Sequence, residues 1–243
     1  MDDHAHPLFG ASLRADRAEK YLDELHGQLT KWTEEHVNVI GFSLNPETGE
    51  PQVTQTAELP MPILYTASAI IGDAVANLRA ALDYTVYQLA KAGNGGKHVR
   101  GTQFPVEDDE DDFWARVSGL NARTGKRSRR YLRHVPNAAV LRIFQLQPCA
   151  SVPCRWTKRL IELSNPDKHQ NLTGLKSEAS INLKFRQGEE TDDGMTIRVE
   201  GNIELAVEFE DAGDDVFSTL REIHGRVRGV IDVFSPTFER ITE

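Results

Sequence analysis

The sequence predicts an α+β fold, and three observations carry that expectation. Residues 62–92 keep an uninterrupted helical period. Residues 13–32 and 216–234 repeat it in shorter amphipathic form. Segments 36–58 and 179–209 instead alternate apolar and polar residues, the period of a half-buried strand. The implied architecture is a helical core around 62–92, an N-terminal β hairpin before it and a C-terminal antiparallel β meander. The 243 residues are read as a single domain, with a sub-boundary near 172–180.

In the central stretch, Leu64, Ala67, Ile71, Val75, Leu78, Leu82, Val86 and Leu89 recur at steps of three and four. That spacing makes one apolar helix face. Pro62 suits a first turn, where its missing N–H is not needed. The Gly93-Asn94-Gly95-Gly96 run suits a stop. Thirty residues at 1.5 Å each make about 45 Å of helix. Asp73, Asn77, Arg79 and Asp83 argue against a membrane span, because such groups are costly at a bilayer centre. A second row, Gly72, Ala76, Arg79, Asp83 and Tyr87, lies beside the apolar one. Its small residues would let another backbone approach, and Arg79 and Asp83 can pair four residues apart.

The remaining elements follow in chain order. Ala18, Leu22, Leu25, Leu29 and Trp32 give a helix over 13–32. Val37, Val39 and Ser43, then Gln52, Thr54 and Thr56, flank the Asn45–Gly49 turn of the expected hairpin. The acidic run Glu107–Asp112 suits the first turn of a helix carrying Phe113, Trp114 and Val117. Arg123, Lys126, Arg127, Arg129, Arg130, Arg133 and Arg142 then crowd twenty residues. They read as a solvated face or as a local phosphate-binding patch. A short helix over 153–163 is expected to end at Asn165-Pro166, followed by Asp167, Lys168 and His169. Three strands are expected over 179–209, with turns at 187–194 and at Glu200-Gly201-Asn202. Val216, Leu220, Ile223, Val227 and Ile231 mark the last helix.

Bulk properties narrow the function classes. A net charge of −9 and a pI near 5.4 argue against broad non-specific nucleic-acid binding, but leave room for a local basic patch. The N-terminus shows no apolar signal region, so the expected location is cytoplasmic. Cys149 and Cys154 then read as reduced thiols, and their spacing is not that of a zinc pair. No phosphate-cradling glycine loop or GxSxG elbow appears. No metal and no cofactor are expected.

Residues 72–89, GDAVANLRAALDYTVYQL, and 165–169, NPDKH, resemble a group of bacterial proteins, many of them actinobacterial. There a GDxxxNLRxALDH helix is followed much later by NxDKHR. Phe104-Pro105 and Gln147-Pro148 resemble further blocks of the same group. More distantly, Arg79 in this helix resembles the Arg of the RxxxxH signature of HEPN domains. Those are helical, usually dimeric domains, many of them metal-independent ribonucleases. The resemblance implies a homodimer acting on RNA in a stress or phage-defence setting. Arg79 would hold a phosphate, which suits guanidinium geometry. At the position of the signature His this chain has Tyr84, and a phenol is a poor base at neutral pH. The expected site joins Arg79, Asp83 and His169 as catalytic groups. Asn77, Tyr84, Asp167, Lys168, Arg129, Arg130 and Arg133 are the expected binding residues. Arg79 and Asp83 are expected to lie close to the 167–169 segment, because charges on a covered helix need partners. The reading from a different class is a non-catalytic, self-associating interaction module without a membrane role.

Overall fold

A computed structural model describes residues 6–36, 42–44, 51–53, 59–168, 174–191 and 194–239. Six α-helices dominate it: α1 (Phe9–His36), α2 (Met61–Gly93), α3 (Glu110–Ser118), α4 (Asn137–Gln145), α5 (Arg155–Lys168) and α6 (Val216–Glu239). Strands β1 (Phe42–Leu44) and β2 (Pro51–Val53) form one antiparallel ribbon, and β3 (Leu175–Thr191) and β4 (Gly194–Phe209) form another.

The expected α+β class is therefore overturned: the chain is mostly helical. It opens in a helix, α1, rather than in a β hairpin. Between α1 and α2 the described residues hold only three strand pairs, Phe42 with Val53, Ser43 with Gln52 and Leu44 with Pro51. The expected three-stranded meander is a two-stranded ribbon, so no sheet layer exists among the described residues for helices to cover. The physical reason lies in the register. Ile181 pairs with Ile203, Leu183 with Gly201 and Phe185 with Val199. Glu200-Gly201-Asn202 thus lies inside β4 and is not a turn. The apolar positions of β4 stay odd-numbered from Met195 to Phe209, and a turn at Gly201 would break that phase. The α5 helix also runs past its expected end, through Pro166 to Lys168.

The chain divides into two compact units. The first joins Met1–Leu22, Ala69–Thr173 and Ser218–Glu243. Its core draws on Ala11, Ala15 and Ala18 of α1, on Ile71, Leu78, Leu82, Val86 and Leu89 of α2, and on Leu220, Val227 and Phe234 of α6, all buried. Gly93 ends α2 against the backbone carbonyl of His134, where any side chain would collide. In α6, Pro236 lacks the N–H that would bond four residues back. Nearby, the Ser235 hydroxyl donates to the Ile231 carbonyl at 3.1 Å and the Arg142 guanidinium to the Val233 carbonyl at 3.1 Å.

The second unit joins Asp23–Ser68 and Gly174–Phe217. Leu25, Leu29, Leu59, Leu175, Val207, Phe209 and Val216 are buried there. The Leu59 amide donates to Ser177 Oγ at 3.1 Å, which ties the chain before α2 to β3.

Helix α2 is long and apolar enough, by length and composition, to cross a membrane. Half of its most apolar stretch is buried inside the protein.

Candidate functional site

Arg79 and Asp83 of α2 lie in the first unit and converge on Phe104, at the start of a short extended segment, residues 104–107. Arg79 is 5% exposed. Its Nη2 donates to the carbonyl of Phe104 at 2.6 Å and lies 3.2 Å from Asp83 Oδ1. That same carboxylate oxygen accepts the Phe104 amide at 2.8 Å. Phe104 is itself buried, so both its backbone polar groups need partners. The i, i+4 pair of α2 supplies both, as a neighbouring strand would.

Three residues on, a second polar side chain takes over. Gln147, fully buried just beyond the end of α4, accepts the Glu107 amide at 3.1 Å through Oε1. Its Nε2 donates to the Ile143 carbonyl at 3.0 Å. Glu107 in turn accepts from Arg116 Nε of α3 at 2.6 Å, and Arg116 Nη1 donates to Ser128 Oγ at 2.8 Å. The Arg116 guanidinium also lies over the Tyr131 ring, 4.7 Å from its centroid. One extended segment thus ties α2, α3, the end of α4 and the 128–131 loop together.

Electrostatics follow the geometry. Burial pushes the Arg79 guanidinium below its ordinary value, and the charge of Asp83 pushes back. At Arg116 burial also lowers the value, but the hydrogen bond and charge of Glu107 outweigh it and the net direction is up. Arg79 Nε and Nη1 are buried without a hydrogen-bond partner among the described residues. Arg79 is 5% exposed, so a phosphate could reach its guanidinium only if the packing around it opened.

The other expected site residues fall into three groups. Asn77 is half-buried and donates through Nδ2 to the Asp73 carbonyl of its own helix at 2.8 Å. Tyr84 is also half-buried and packs on Gly10 of α1. A methyl there would come within 2.8 Å of the phenol ring, so glycine makes the notch the ring occupies. Arg14 of α1 lies 5.9 Å from the centroid of that ring. The small-residue row of α2 is not a free face either: Gly72 is buried, and only Ala76 is exposed. Asp167 and Lys168 close α5, and their side chains lie outside the described set. His169 lies outside the described residues, and with it the expected approach of Arg79 and Asp83 to the 167–169 segment.

The basic residues stand apart. Arg129, Arg130 and Arg133 are exposed on the loop between α3 and α4, not on a helix face. Arg130 Nε donates to the Val117 carbonyl at 2.9 Å, and its stem covers Gly119, whose φ is 88°. Arg123 pairs with Asp109 at 3.0 Å and with Asp111 at 3.5 Å. Asp109 also caps α3, accepting the amides of Asp111 and Asp112. The exposed Arg127, Arg129 and Arg133 make no ion pair among the described residues.

Sequence reasoning singled out Arg79 and Asp83 but not the segment they hold. Phe104 contributes through its backbone, which leaves no signature in residue type. Gln147 entered only within the Gln147-Pro148 resemblance; a glutamine beside a helix end at a buried position was the available signal.

No family model matches the chain, and no curated protein or solved structure matches it.

Proposed function

We propose that this chain is a non-catalytic, self-associating interaction module. One observation carries the reading: both polar partners at the heart of the α2 motif are committed to the backbone of Phe104. Three of the four resemblance blocks, the α2 helix, Phe104-Pro105 and Gln147-Pro148, meet in one network around residues 104–107. The groups bonded to one another there, Arg79 Nη2, Asp83 Oδ1 and the Phe104 backbone, are accounted for by folding. Tyr84 supports the same reading, since it fills the notch at Gly10 and offers no base at neutral pH. On this reading α2 is a core helix and not a membrane span, the module works in the cytoplasm, and it needs no cofactor. The test is sedimentation equilibrium of the full chain across a wide concentration range, beside incubation with total RNA. Reversible dimerisation without RNA cleavage is the expected result. A strictly monomeric protein, or one that cuts RNA, overturns the reading.

A second reading keeps RNA as a partner that is bound and not cut. It is favoured by the exposed Arg127, Arg129 and Arg133, which have no acidic partner among the described residues.

A further inference from the structure

The β3–β4 ribbon lacks what an independent sheet needs. Its thirteen pairs from Leu175–Phe209 to Gln187–Ile197 run without a break. Odd-numbered residues share one face, and that face sets Ala179 beside Leu205, Ile181 beside Ile203 and Phe185 beside Val199. The other face sets Ser180 beside Glu204, Asn182 beside Asn202 and Lys184 beside Glu200. A lone two-stranded ribbon is marginally stable in water, and three or more strands with an apolar face are needed for independent stability. No third strand joins this ribbon among the described residues.

The two edges of the ribbon differ. On β3, Lys184 and Arg186 stand two residues apart on one face, and the register breaks between Gln187 and Glu190. Lysines and bulges are devices that blunt an edge. From Met195 to Leu205, β4 has neither a lysine nor a proline, and the extra residue of the bulge lies in β3. Backbone bonds at the base give the phase of the β4 edge. The Glu210 amide donates to the Gly174 carbonyl at 3.1 Å, on the β3 side. The Phe209 amide donates to the Asp214 carbonyl at 3.0 Å, on the opposite side, where Glu208 also bridges Asp215. The same alternation turns the backbone N–H and C=O of Ile197, Val199, Gly201, Ile203 and Leu205 away from β3. The edge left open thus runs from 197 to 205, with Gly201 at its midpoint.

We infer that two copies of this chain associate through this edge, β4 antiparallel on β4, about a two-fold axis at Gly201. The inference rests on the self-association proposed above and names its surface and partner. Antiparallel pairing sets residues that add to the same number directly opposite, on the same face of the sheet. Ile197 then stands opposite the partner's Leu205, and Val199 opposite the partner's Ile203, so the apolar faces join. Arg198 stands opposite the partner's Glu204, twice by symmetry, and Glu200 opposite the partner's Asn202. Moving the axis to Glu200 sets Glu200 against the partner's Glu200, and moving it to Asn202 sets Glu200 against the partner's Glu204; like charges directly opposite are unfavourable. At the axis glycine meets glycine, and a glycine inside a strand suits close backbone approach. The product is a four-stranded sheet in the order β3-β4-β4-β3. A two-fold contact of this kind closes at two copies.

The experiment is charge exchange in the full chain, read by sedimentation equilibrium. Arg198→Glu and Glu204→Arg each place like charges opposite one another at two symmetric positions. Each should weaken the dimer about tenfold, and the double variant should restore it. Neither change removes an unlike-charge pair directly opposite within the chain, where Arg198 faces Arg186 and Glu204 faces Ser180. Circular dichroism checks the fold of each variant. Gly201→Cys should give a disulfide-linked dimer on mild oxidation, since opposite Cα atoms about 5.5 Å apart lie within disulfide reach. Asn182→Cys, at the same level on β3, and the wild type, with its own Cys149 and Cys154, should not. A dimeric wild type whose single variants keep their affinity, or whose double variant does not recover, overturns this inference and leaves self-association standing. Cross-linking through Asn182→Cys in place of Gly201→Cys also overturns it. A wild type that is monomeric throughout overturns both.

Discussion

Arg79 and Arg129 are the same residue type, in the same unit, and both read as site residues in the sequence, yet they are used in opposite ways. Arg79 is 5% exposed and bonded to a backbone carbonyl. Arg129 is exposed and makes no ion pair among the described residues. Around Arg79 nearly every group is answered from within: Asp83 by the Phe104 amide, Gln147 by the Glu107 amide, Glu107 by Arg116. Around Arg129 the backbone does the holding, through bonds such as Ser128 N–H to the Gly119 carbonyl at 2.9 Å. The side chains of Arg127, Arg129 and Arg133 are left exposed. A dense polar cluster on a covered helix and a dense polar cluster on a loop therefore obey different rules. The first must be satisfied to fold; the second costs little to leave open. Substitutions should separate the two regions by stability alone.

The largest effect belongs to Asp83. Asp83→Ala leaves Arg79 buried without its counter-charge and Phe104 without its acceptor. The loss should be about 3 kcal/mol, the scale for breaking a buried pair. Asp83→Asn keeps an oxygen for the Phe104 amide and removes only the charge, so it should lose less. Urea denaturation of the two variants beside wild type measures both. If Asp83→Ala unfolds with wild-type midpoint, the network is not structural, and the Arg79 cluster returns as a candidate site.

Gln147 comes next. Gln147→Ala removes the acceptor for the half-buried Glu107 amide and leaves a small void. An unsatisfied buried amide costs about 1–3 kcal/mol, so a loss near 2 kcal/mol is expected. Gln147→Glu retains an acceptor oxygen but buries a charge, and it should do no better. Protection of the Glu107 amide in hydrogen exchange should fall in both variants more than protection along the α2 core. Equal loss at both places would mean that the 104–107 segment opens only with the whole unit.

How much of this was legible in the sequence follows from what each group uses. The core row of α2 was legible because its period is carried by residue types, Ile71 through Leu89. The demand for partners at Arg79 and Asp83 was legible too, since charges on a covered helix cannot stay unpaired. Their actual partner was not, because Phe104 answers with backbone atoms that any residue would supply. The strands were misread for a related reason. Gly201 looks like a turn residue, and only the unbroken odd-numbered phase from Met195 to Phe209 says that β4 runs through it.

The smallest effect on stability should come from the open region, and it decides what that region is for. Arg129→Glu with Arg133→Glu changes the local charge by four and removes no hydrogen bond among the described residues. Exposed substitutions away from networks usually stay within about 0.5 kcal/mol, so the urea midpoint should hardly move. Binding is the sharper readout. Each cation that contacts a phosphate releases a counterion, and the affinity for a polyanion then falls steeply with salt. If the loop binds RNA, wild type should bind single-stranded RNA with a salt-dependent affinity, and the double variant should lose most of it with the fold intact. If wild type and variant are equally indifferent to RNA at low salt, the loop is a solvated surface and the second reading falls. A large drop in stability would be the more instructive failure. It would mean that the charges at 129 and 133 are held by contacts, and the contrast with Arg79 would then be one of degree.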